Sequence, residues 1–440
     1  MIFFGTEKDK SGRRTYFFGI KVYETKIRHN VKRSYLLGMR IRKKQLKTDA
    51  SIAIDKIVHH TRICAAEQRI LTLGLYYKDM PKEERYVLCF DYLFLPYAEA
   101  IDAWTFFQYL QSQGIPSKYV IRKENALYKK LKEENNLKDI LPVGSEFQLL
   151  TNYPDIIAKS RFIICSYGFE LSPFFKFLPF CKYIFIEHGV NFLKDWAVQH
   201  YTNSRFAGMI VPSRLTKEEY EKVGVDLDSL SVYYTGLPRW DRLQSQKKHD
   251  RTRNIFIFFT WRVSFGANKT LVKQYAERIQ SFVYRLKKIF AGRDDIKLHI
   301  SLHHALIERD IKLEESKLFE GVHFVPMSEI SNMIQKTDLC ITDYSSISFD
   351  FLYLNVPVIY YCFDADVEYP HQNDYIVPSI EKIKRELYNC CLSEDEAVSK
   401  VQYYAERDFS LETEYMAKND NIFWFKGGNC ERLWQLINEQ

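Results

Sequence analysis

The chain has 440 residues, of which 46% are hydrophobic and 15% aromatic, so it can bury sizeable cores and is not an intrinsically disordered protein. Its formal net charge is +7, yet residues 1–50 alone hold 14 Lys or Arg against 4 Asp or Glu, so the remaining residues carry a net charge of −3. The opening residues lack the basic-then-apolar order of a signal peptide. No stretch reaches about 18 uncharged apolar residues, so we expect no membrane-spanning helix.

The nine cysteines include no Cys-x-x-Cys pair, and several, among them Cys89, Cys165 and Cys340, lie inside apolar runs. Cysteines in such runs usually behave as small buried hydrophobic residues, and free thiols are typical of a reducing compartment. We therefore expect a cytoplasmic protein, and we expect no metal site because no cluster of ligands has the required spacing.

A weak internal repeat lies in the basic first 50 residues. The run YFFGIKV at Tyr16 returns as YLLGMRI at Tyr35, and each copy places an apolar run and a glycine before alternating apolar and basic residues. The pattern predicts short strands or hairpins with one basic and one apolar face. Such a surface suits membrane phospholipid or nucleic acid, although a solvated basic face without a partner has the same pattern.

Membrane phospholipid is the favoured partner of this basic segment. Its aromatic residues lack the spacing of a base-stacking platform, and the rest of the chain is slightly acidic, which argues against nucleic acid. We therefore expect a protein attached peripherally to the inner face of the cell membrane.

After residue 84, continuously apolar segments alternate with helical patterns. The predicted strands are RYVLCF, KYVIR, RFIICSYG, KYIFIEHG, FAGMIVPS and VYYTG, and then NIFIFFTWR, IKLHISL, VHFVP, LCITDYSS and VPVIYY. Ser213 is predicted to cap the helix that Gly224 closes. Buried strands alternating with helices are typical of parallel sheets covered on both faces.

The polar stretch QSQKKHDRTR near Gln244 divides this alternation in two. The predicted fold is therefore α/β, with two doubly wound domains and a cleft between them. We expect a basic N-terminal region over 1–83, an acceptor domain over 84–244 and a donor domain with a C-terminal helix over 245–440. Because ligands of such sheets bind beyond the carboxyl ends of the strands, functional residues should follow strands.

One strand end carries an acid and two hydroxyls. Thr342 ends the strand LCIT, Asp343 begins the turn, and Ser345 and Ser346 are predicted to start the next helix. Free amides at a helix start favour negative charge, so two added hydroxyls could hold a phosphate. A plain helix cap is the alternative interpretation. Asp343, an anion, is expected to orient the turn or a neighbouring basic group.

Another strand end carries a histidine. Glu187, His188 and Gly189 follow the strand YIFI, and Lys194 lies five residues further on. Histidine is the usual side chain for accepting a proton near neutral pH, and Glu187 could orient its ring. We therefore predict His188 as a general base and Lys194 as a contact for an anionic ligand, while a structural histidine and a solvated lysine remain the alternatives.

Strand ends later in the chain offer further candidates. The predicted ligand-binding residues there are Thr260, Trp261 and Arg262, then His303 and His304, and between the two halves Gly236, Arg239 and Asp241. Arginine suits phosphate because it can bind two oxygens at once. Each motif is unspecific alone, but all lie where strands end.

Together these motifs resemble the CDP-glycerol:glycerophosphotransferases, a family that includes polymerases of wall teichoic acid. The resemblance covers about residues 183–369. The matching motifs are His188-Gly189 with Lys194; Gly236, Pro238, Arg239 and Asp241; Thr260-Trp261-Arg262; Thr342 to Ser346 with Phe349 and Asp350; and Pro357, Tyr360, Asp364 and Tyr369. The sequence departs from the family at Glu187, commonly tryptophan, at Phe259, often proline, and around His303-His304.

This resemblance implies two Rossmann-like domains of the GT-B type. It implies transfer of glycerol phosphate, or ribitol phosphate, from a CDP-activated donor to an acceptor hydroxyl, with release of CMP and no further cofactor. His188 and His303, or His304 in its place, would be catalytic. The residues that bind substrate would be Gly189, Lys194, Gly236, Arg239, Asp241, Thr260, Arg262, His304, Thr342, Asp343, Ser345, Ser346 and Asp350.

We therefore expect a transferase of cell-envelope biogenesis that acts on a membrane-linked glycan or polyol phosphate, in the synthesis of teichoic acid, capsule polysaccharide or lipopolysaccharide. The alternative is a glycosyltransferase of the same fold that uses a nucleotide sugar. The sequence leaves open which polyol is transferred and whether one unit or many are added.

Overall fold

The computed structural model divides the chain into two units, Met1–Arg69 and Ile70–Gln440. It describes residues 4–439 except 10–11, 18–19, 29–30, 37–38, 46–48, 92–100, 167–174, 176–177, 197–205, 223, 226, 228–230, 245–251, 261, 263–268, 303–316 and 366–375. The side chains of 4–60, 146, 194–196, 269 and 376–378 are also outside the description.

An antiparallel sheet of five strands occupies the basic first unit, with its strands side by side in chain order. These are β1 (Phe4–Asp9), β2 (Gly12–Phe17), β3 (Ile20–Arg28), β4 (Val31–Leu36) and β5 (Met39–Gln45). Tyr16 and Tyr35 each follow a register shift and lie opposite Lys21 and Arg40. The prediction of strands and hairpins is confirmed, and the internal repeat corresponds to two hairpins of the same register.

A parallel sheet of seven strands forms the first domain of the second unit. Its strands are β6 (Tyr86–Phe90), β7 (Ser117–Arg122), β8 (Ile140–Val143), β9 (Ser160–Cys165), β10 (Lys182–Phe185), β12 (Gly208–Ile210) and β13 (Ser231–Tyr233). Their spatial order is β13-β12-β10-β9-β6-β7-β8. The chain therefore starts in the middle, moves to one edge and then returns to build the other, as in a doubly wound Rossmann sheet.

A second parallel sheet, of six strands, repeats this topology. Its strands are β14 (Arg253–Phe259), β15 (Ile296–Leu302), β16 (His323–Phe324), β17 (Leu339–Thr342), β18 (Val358–Tyr361) and β20 (Cys390–Cys391). The order β16-β15-β14-β17-β18-β20 again reverses direction beside the first strand, between β14 and β17. The carboxyl ends of β14 and β17 thus mark the crevice where such sheets bind ligands.

Helices separate the strands, as the apolar spacing predicts. They are α1 (Asp49–Tyr77), α2 (Asp102–Ser112), α3 (Ala126–Glu133), α4 (Glu146–Asn152), α5 (Pro154–Lys159), α6 (Arg214–Lys222), α7 (Arg239–Gln244), α8 (Lys269–Ile289), α9 (Ile330–Lys336), α10 (Ser348–Tyr353), α11 (Ile380–Glu386), α12 (Glu394–Ala405), α13 (Thr413–Ile422) and α14 (Asn429–Asn438). Ser213 caps α6 by accepting the Thr216 amide, and Gly224 follows with φ +75°, as predicted. Within the described residues, no helix is both long and apolar enough to span a bilayer.

The hydrophobic core of the second unit is shared between the two domains. Alternate residues of β14 point to opposite faces, as strand geometry requires. Phe256 and Phe258 join a cluster that also contains Ile184 and Ile210 of the first sheet. The intervening residues of β14 pack instead with α8 and α12 in a second cluster.

The C-terminal segment returns to the first domain. Trp424 donates from Nε1 to the carbonyl of Val211 at 2.8 Å, and Arg161 donates to Asn438 at 2.8 Å. A short antiparallel ribbon adds another link, because β11 (Lys194–Trp196) pairs with β19 (Ile376–Pro378). The returning C-terminal segment and this ribbon therefore both link the two domains.

Candidate active site

A hydrogen bond joins the ends of the two strands, β14 and β17, that flank the crevice of the second sheet. Thr260 follows β14, and its amide donates to Asp343, which follows β17, at 2.9 Å. Thr342 donates its hydroxyl to the Phe258 carbonyl at 2.5 Å. Asp343 is fully buried, which raises the pKa of its carboxyl, while Arg262 opposes that rise. These residues hold the two strand-end loops together.

Arg262 lies behind this crevice and is only 3% exposed. It bonds Asp364 through Nε at 2.7 Å and through Nη2 at 3.0 Å, and its Nη1 lies 2.8 Å from Asp343. The ring of Tyr344 covers the guanidinium, with its centroid 4.9 Å away. A donor phosphate would have to compete with two carboxylates for this arginine, so in this geometry Arg262 supports the turn.

Ser345 and Ser346 form a tight turn ahead of α10, and the helix begins at Ser348. The predicted start at the serine pair is therefore wrong by two to three residues. The amides of Ser348 and Phe349 bond the carbonyls of Ser345 and Ser346, both at 3.1 Å, so three-residue spacing precedes the helix. Ser345 is buried, whereas Ser346 is partly exposed.

The loop after β10 meets this turn from the other domain. His188 is partly buried and Gly189 is buried. A Cβ atom added to Gly189 would lie 2.9 Å from Oγ of Ser346 and 3.2 Å from its Cβ. The predicted base and the predicted phosphate-binding turn are thus adjacent, although they are more than 150 residues apart in the sequence.

Glu187 fixes the backbone just before His188. It has φ +55°, a left-handed conformation that is uncommon for a residue other than glycine. Its fully buried carboxyl accepts hydrogen bonds from the Tyr220 hydroxyl and, at 3.1 Å, from Asn191 Nδ2. Burial raises the pKa of Glu187 to about 8, although these bonds oppose the rise. The carboxyl therefore anchors the turn to α6.

Arg239 is buried between the two domains. It donates to Asp102 of α2 and to Asp350 of α10, with Nη1 2.5 Å from the first and Nε 2.9 Å from the second. Its Nη1 also donates to the carbonyl of His188 at 3.1 Å. Trp240 adds a bond to Asp350 at 2.6 Å. Arg239 and Asp350 were both predicted to contact substrate, but here each bonds to other protein groups.

Gly236 and Asp241 hold the returning C-terminal segment. Asp241 accepts the amides of Asn429 at 2.9 Å and Cys430 at 2.7 Å, so it caps α14. The amide of Gly236 donates to Asn429 Oδ1 at 3.0 Å, and an added Cβ would lie 2.4 Å from that oxygen. In this geometry Gly236 and Asp241 bind the C-terminal segment where it returns to the first domain.

Several predicted residues have no described side-chain position. His303, His304, Trp261 and Tyr369 lie outside the described residues. The backbone of Lys194 pairs with Pro378 in the ribbon that links the domains, but its side chain is also outside the description. Among the residues that are described, no group of three or more His, Cys, Asp or Glu could hold a metal ion.

Asp102 and Trp240 belong to the site but were not predicted from the sequence. Asp102 stands in the first turn of α2, where an acid is ordinarily explained by the helix dipole. Trp240 stands inside the motif around Arg239, but an apolar residue there suggests only packing. Only the position of Asp102 and Trp240 near strand ends of a doubly wound fold could have indicated them.

Comparison with solved structures identifies the fold. The wall teichoic acid polymerase TagF superposes with a TM-score of 0.58 at 15% identity, over 89% of this chain and 97% of that one. A UDP-GlcNAc 2-epimerase from Neisseria meningitidis superposes with a TM-score of 0.51 at 15% identity, over 81% of this chain and all of that one. The two Rossmann-like domains are thus of the predicted GT-B type.

Curated relatives match in sequence. The minor teichoic acid biosynthesis protein GgaB of Bacillus subtilis is 22% identical over 348 residues, which are 75% of this chain and 37% of that protein. The teichoic acid poly(ribitol-phosphate) polymerase of Bacillus spizizenii is 26% identical over 191 residues, 40% of this chain and 29% of that protein. This chain thus spans well under half the length of either relative.

A family model matches residues 119–439, well over half of the chain and more than the span of the sequence motifs. The match includes every predicted site residue. The predicted resemblance is confirmed: the chain belongs to the CDP-glycerol:poly(glycerophosphate) glycerophosphotransferase family.

Proposed function

We propose that this chain transfers glycerol phosphate or ribitol phosphate from a CDP-activated donor to a hydroxyl group of a growing cell-surface polymer, with release of CMP. Family membership supports this class of reaction. One relative is a poly(ribitol-phosphate) polymerase by name, which supports either polyol as the transferred group. The acceptor is a membrane-linked glycan or polyol phosphate.

The contact between Gly189 and Ser346 carries this proposal. It brings a histidine from one domain next to a hydroxyl-bearing turn from the other. Group transfer needs such an arrangement, since a proton must leave the acceptor while the donor's phosphates are held in place. The turn also follows the strand pair at the reversal point of the second sheet, where doubly wound sheets bind nucleotides.

These positions support a direct transfer to the acceptor hydroxyl. The acceptor hydroxyl attacks the β-phosphorus of the donor, and His188 accepts the proton as the new oxygen–phosphorus bond forms. The bond between that phosphorus and the bridging oxygen breaks, and the oxygen leaves with CMP. The hydroxyl groups of Ser345 and Ser346 bind the phosphate oxygens. Arg262, Asp343 and Thr260 keep the turn in place, and His303 or His304 offsets charge on the leaving group.

The five-stranded basic sheet attaches the protein to the inner face of the cell membrane. Its strands contain most of the positive charge of the first 50 residues, and anionic headgroups attract such a segment. Attachment would keep the second unit close to a lipid-linked acceptor.

Product analysis tests the proposed reaction. The chain of residues 1–440 is incubated with a lipid-linked disaccharide acceptor and one donor at a time: CDP-glycerol, CDP-ribitol, a UDP-sugar or a GDP-sugar. The products are identified by mass spectrometry. We expect an acceptor heavier by polyol phosphate, with CMP released in equal amount. Sugar transfer with release of UDP or GDP, and none from the CDP-polyols, would establish the alternative glycosyltransferase.

A further inference from the structure

The guanidinium of Arg239 joins two carboxylates that come from different domains. Asp102 lies in α2 of the first domain and accepts both Nη1, at 2.5 Å, and the Arg239 amide, at 3.1 Å. Asp350 lies in α10 of the second domain and accepts Nε at 2.9 Å and Nη2 at 3.2 Å. Such bidentate geometry fixes the plane of the guanidinium as well as its position.

This cluster contacts the site at both ends. Nη1 of Arg239 donates to the His188 carbonyl at 3.1 Å, so it holds the peptide that carries the base. Asp350 lies two residues into α10, the helix that continues the Ser345–Ser346 turn. A shift of that turn would therefore move Asp350, and with it the arginine that holds His188.

Burial makes this connection stiff. Arg239 is 7% exposed, Asp350 3% and Asp102 2%. Burial lowers the pKa of Arg239, but the two carboxylates outweigh burial and keep the group charged. A charge removed from water requires its partners, so losing one carboxylate displaces the guanidinium instead of leaving it in place.

We propose that Arg239 is a positioning residue that couples the donor-binding turn to the placement of His188, with Asp102 and Asp350 setting the place of the guanidinium. This role rests on the proposed function and goes beyond it, since it assigns to Arg239 no contact with substrate. Through Arg239, a donor bound at the turn of the second domain would fix the position of His188 in the first domain.

Kinetics in two backgrounds tests the coupling. Asp350→Asn keeps the size of the side chain but removes a charge that Arg239 needs. We expect kcat to fall roughly 10- to 100-fold, the order of loss that a misplaced catalytic group produces, with a smaller change in KM for the CDP donor. In the His188→Ala background the same substitution should change kcat by less than about twofold, because the group on which it acts is gone.

A substitution that only weakens the fold, or removes a donor contact, would reduce kcat by the same factor in both backgrounds, and that result would overturn the proposal. Arg239→Lys provides a second variant, because lysine keeps the charge but cannot form the bidentate pair. Both variants are compared at temperatures where unfolding measurements show them folded.

Hydrogen exchange tests the coupling independently of the reaction. Asp350→Asn should increase amide exchange in residues 186–193 of the other domain. Asp338→Asn is the matched control, because Asp338 bonds Arg253 and the Asn254 amide at the amino-terminal ends of β14 and β17, away from the candidate site. It should leave residues 186–193 unchanged. Equal exchange in that segment for Asp350→Asn and wild type would overturn the coupling proposal, whichever donor the protein uses. Increased exchange together with no transfer from CDP-polyols would overturn only the proposed function.

Discussion

Gly189 and Ser346 lie so close that the space between them excludes even a methyl group. A Cβ at position 189 would be 2.9 Å from the serine hydroxyl oxygen and 3.2 Å from the serine Cβ. Since Gly189 adjoins the predicted base and Ser346 belongs to the predicted phosphate-binding turn, this contact sets how closely the two halves of the site approach.

We predict that Gly189→Ala pushes the two loops apart. Overpacking of this kind lowers stability by roughly 1–3 kcal/mol, and transfer should slow because base and donor separate. Ser346→Gly removes both atoms that the new methyl group meets. The double variant Gly189→Ala/Ser346→Gly should therefore be more stable, by urea denaturation, than additivity of the single variants predicts. Strict additivity would show that the contact does not limit the approach of the loops.

His188→Ala should lower turnover by roughly 10²- to 10⁴-fold, the usual contribution of general-base catalysis. Release of CMP in the presence of acceptor measures the rate. His299→Ala is the matched control, because His299 lies within β15 and bonds Asn254 at 2.9 Å. That variant should lose stability and keep its turnover. A near-normal rate for His188→Ala would exclude His188 as the base.

Replacing Ser345 and Ser346 together by alanine should raise KM for the CDP donor and lower the rate, while affinity for the acceptor stays nearly constant. The reason is that the hydroxyls are proposed to bond donor phosphate oxygens. Ser393→Ala tests a plain helix cap, since Ser393 caps α12 through a capping box. It should lower stability by about 1 kcal/mol without changing donor kinetics. The same outcome for the serine pair would make those serines a structural turn only.

Glu187 should make stability depend on pH. Its pKa is raised to about 8, so between pH 4.5 and 8 the folded chain binds a proton that the unfolded chain releases. The free energy of unfolding should therefore fall as pH rises through this range, by about 1.4 kcal/mol for each pKa unit of the shift. Glu187→Gln stays neutral, so its stability relative to wild type should increase from pH 5.5 to pH 8.5 in urea denaturation. Parallel pH curves for the two proteins would contradict the raised pKa.

Removing residues 1–50 should release the protein from anionic liposomes in a sedimentation assay. Binding by the intact chain should weaken as salt rises, because salt screens surface charge. A variant that keeps residues 1–50 but has Gln in place of the Lys and Arg residues of β2 and β5 should behave like the truncated one. Activity on a short soluble acceptor should persist. Equal sedimentation of truncated and intact protein would remove the membrane role of the basic sheet.

Much of the architecture followed from local pattern. Continuous apolar runs such as NIFIFF and LCIT can be satisfied only where both faces of a strand are covered, so the parallel sheets and their domains were predictable. The family motifs at His188 and at Ser345-Ser346 were likewise visible, because strand ends place functional residues at one edge of a sheet. The start of α10 was not, since a three-residue turn and an α-helical turn begin with the same residue types.

Only tertiary structure determined what the arginines do. A free arginine at a strand end suggests phosphate binding, and nothing in the local sequence indicates that Asp102, 137 positions before Arg239, neutralises it. The same holds for Asp364 beside Arg262 and for Asn429 beside Gly236. Local pattern records the burial and conformation that a residue favours, whereas the partner of a buried charge depends on which distant segments the fold brings together. Most candidate site residues could thus be named from the sequence, whereas the packing of the two domains determined which of them bond to other protein groups.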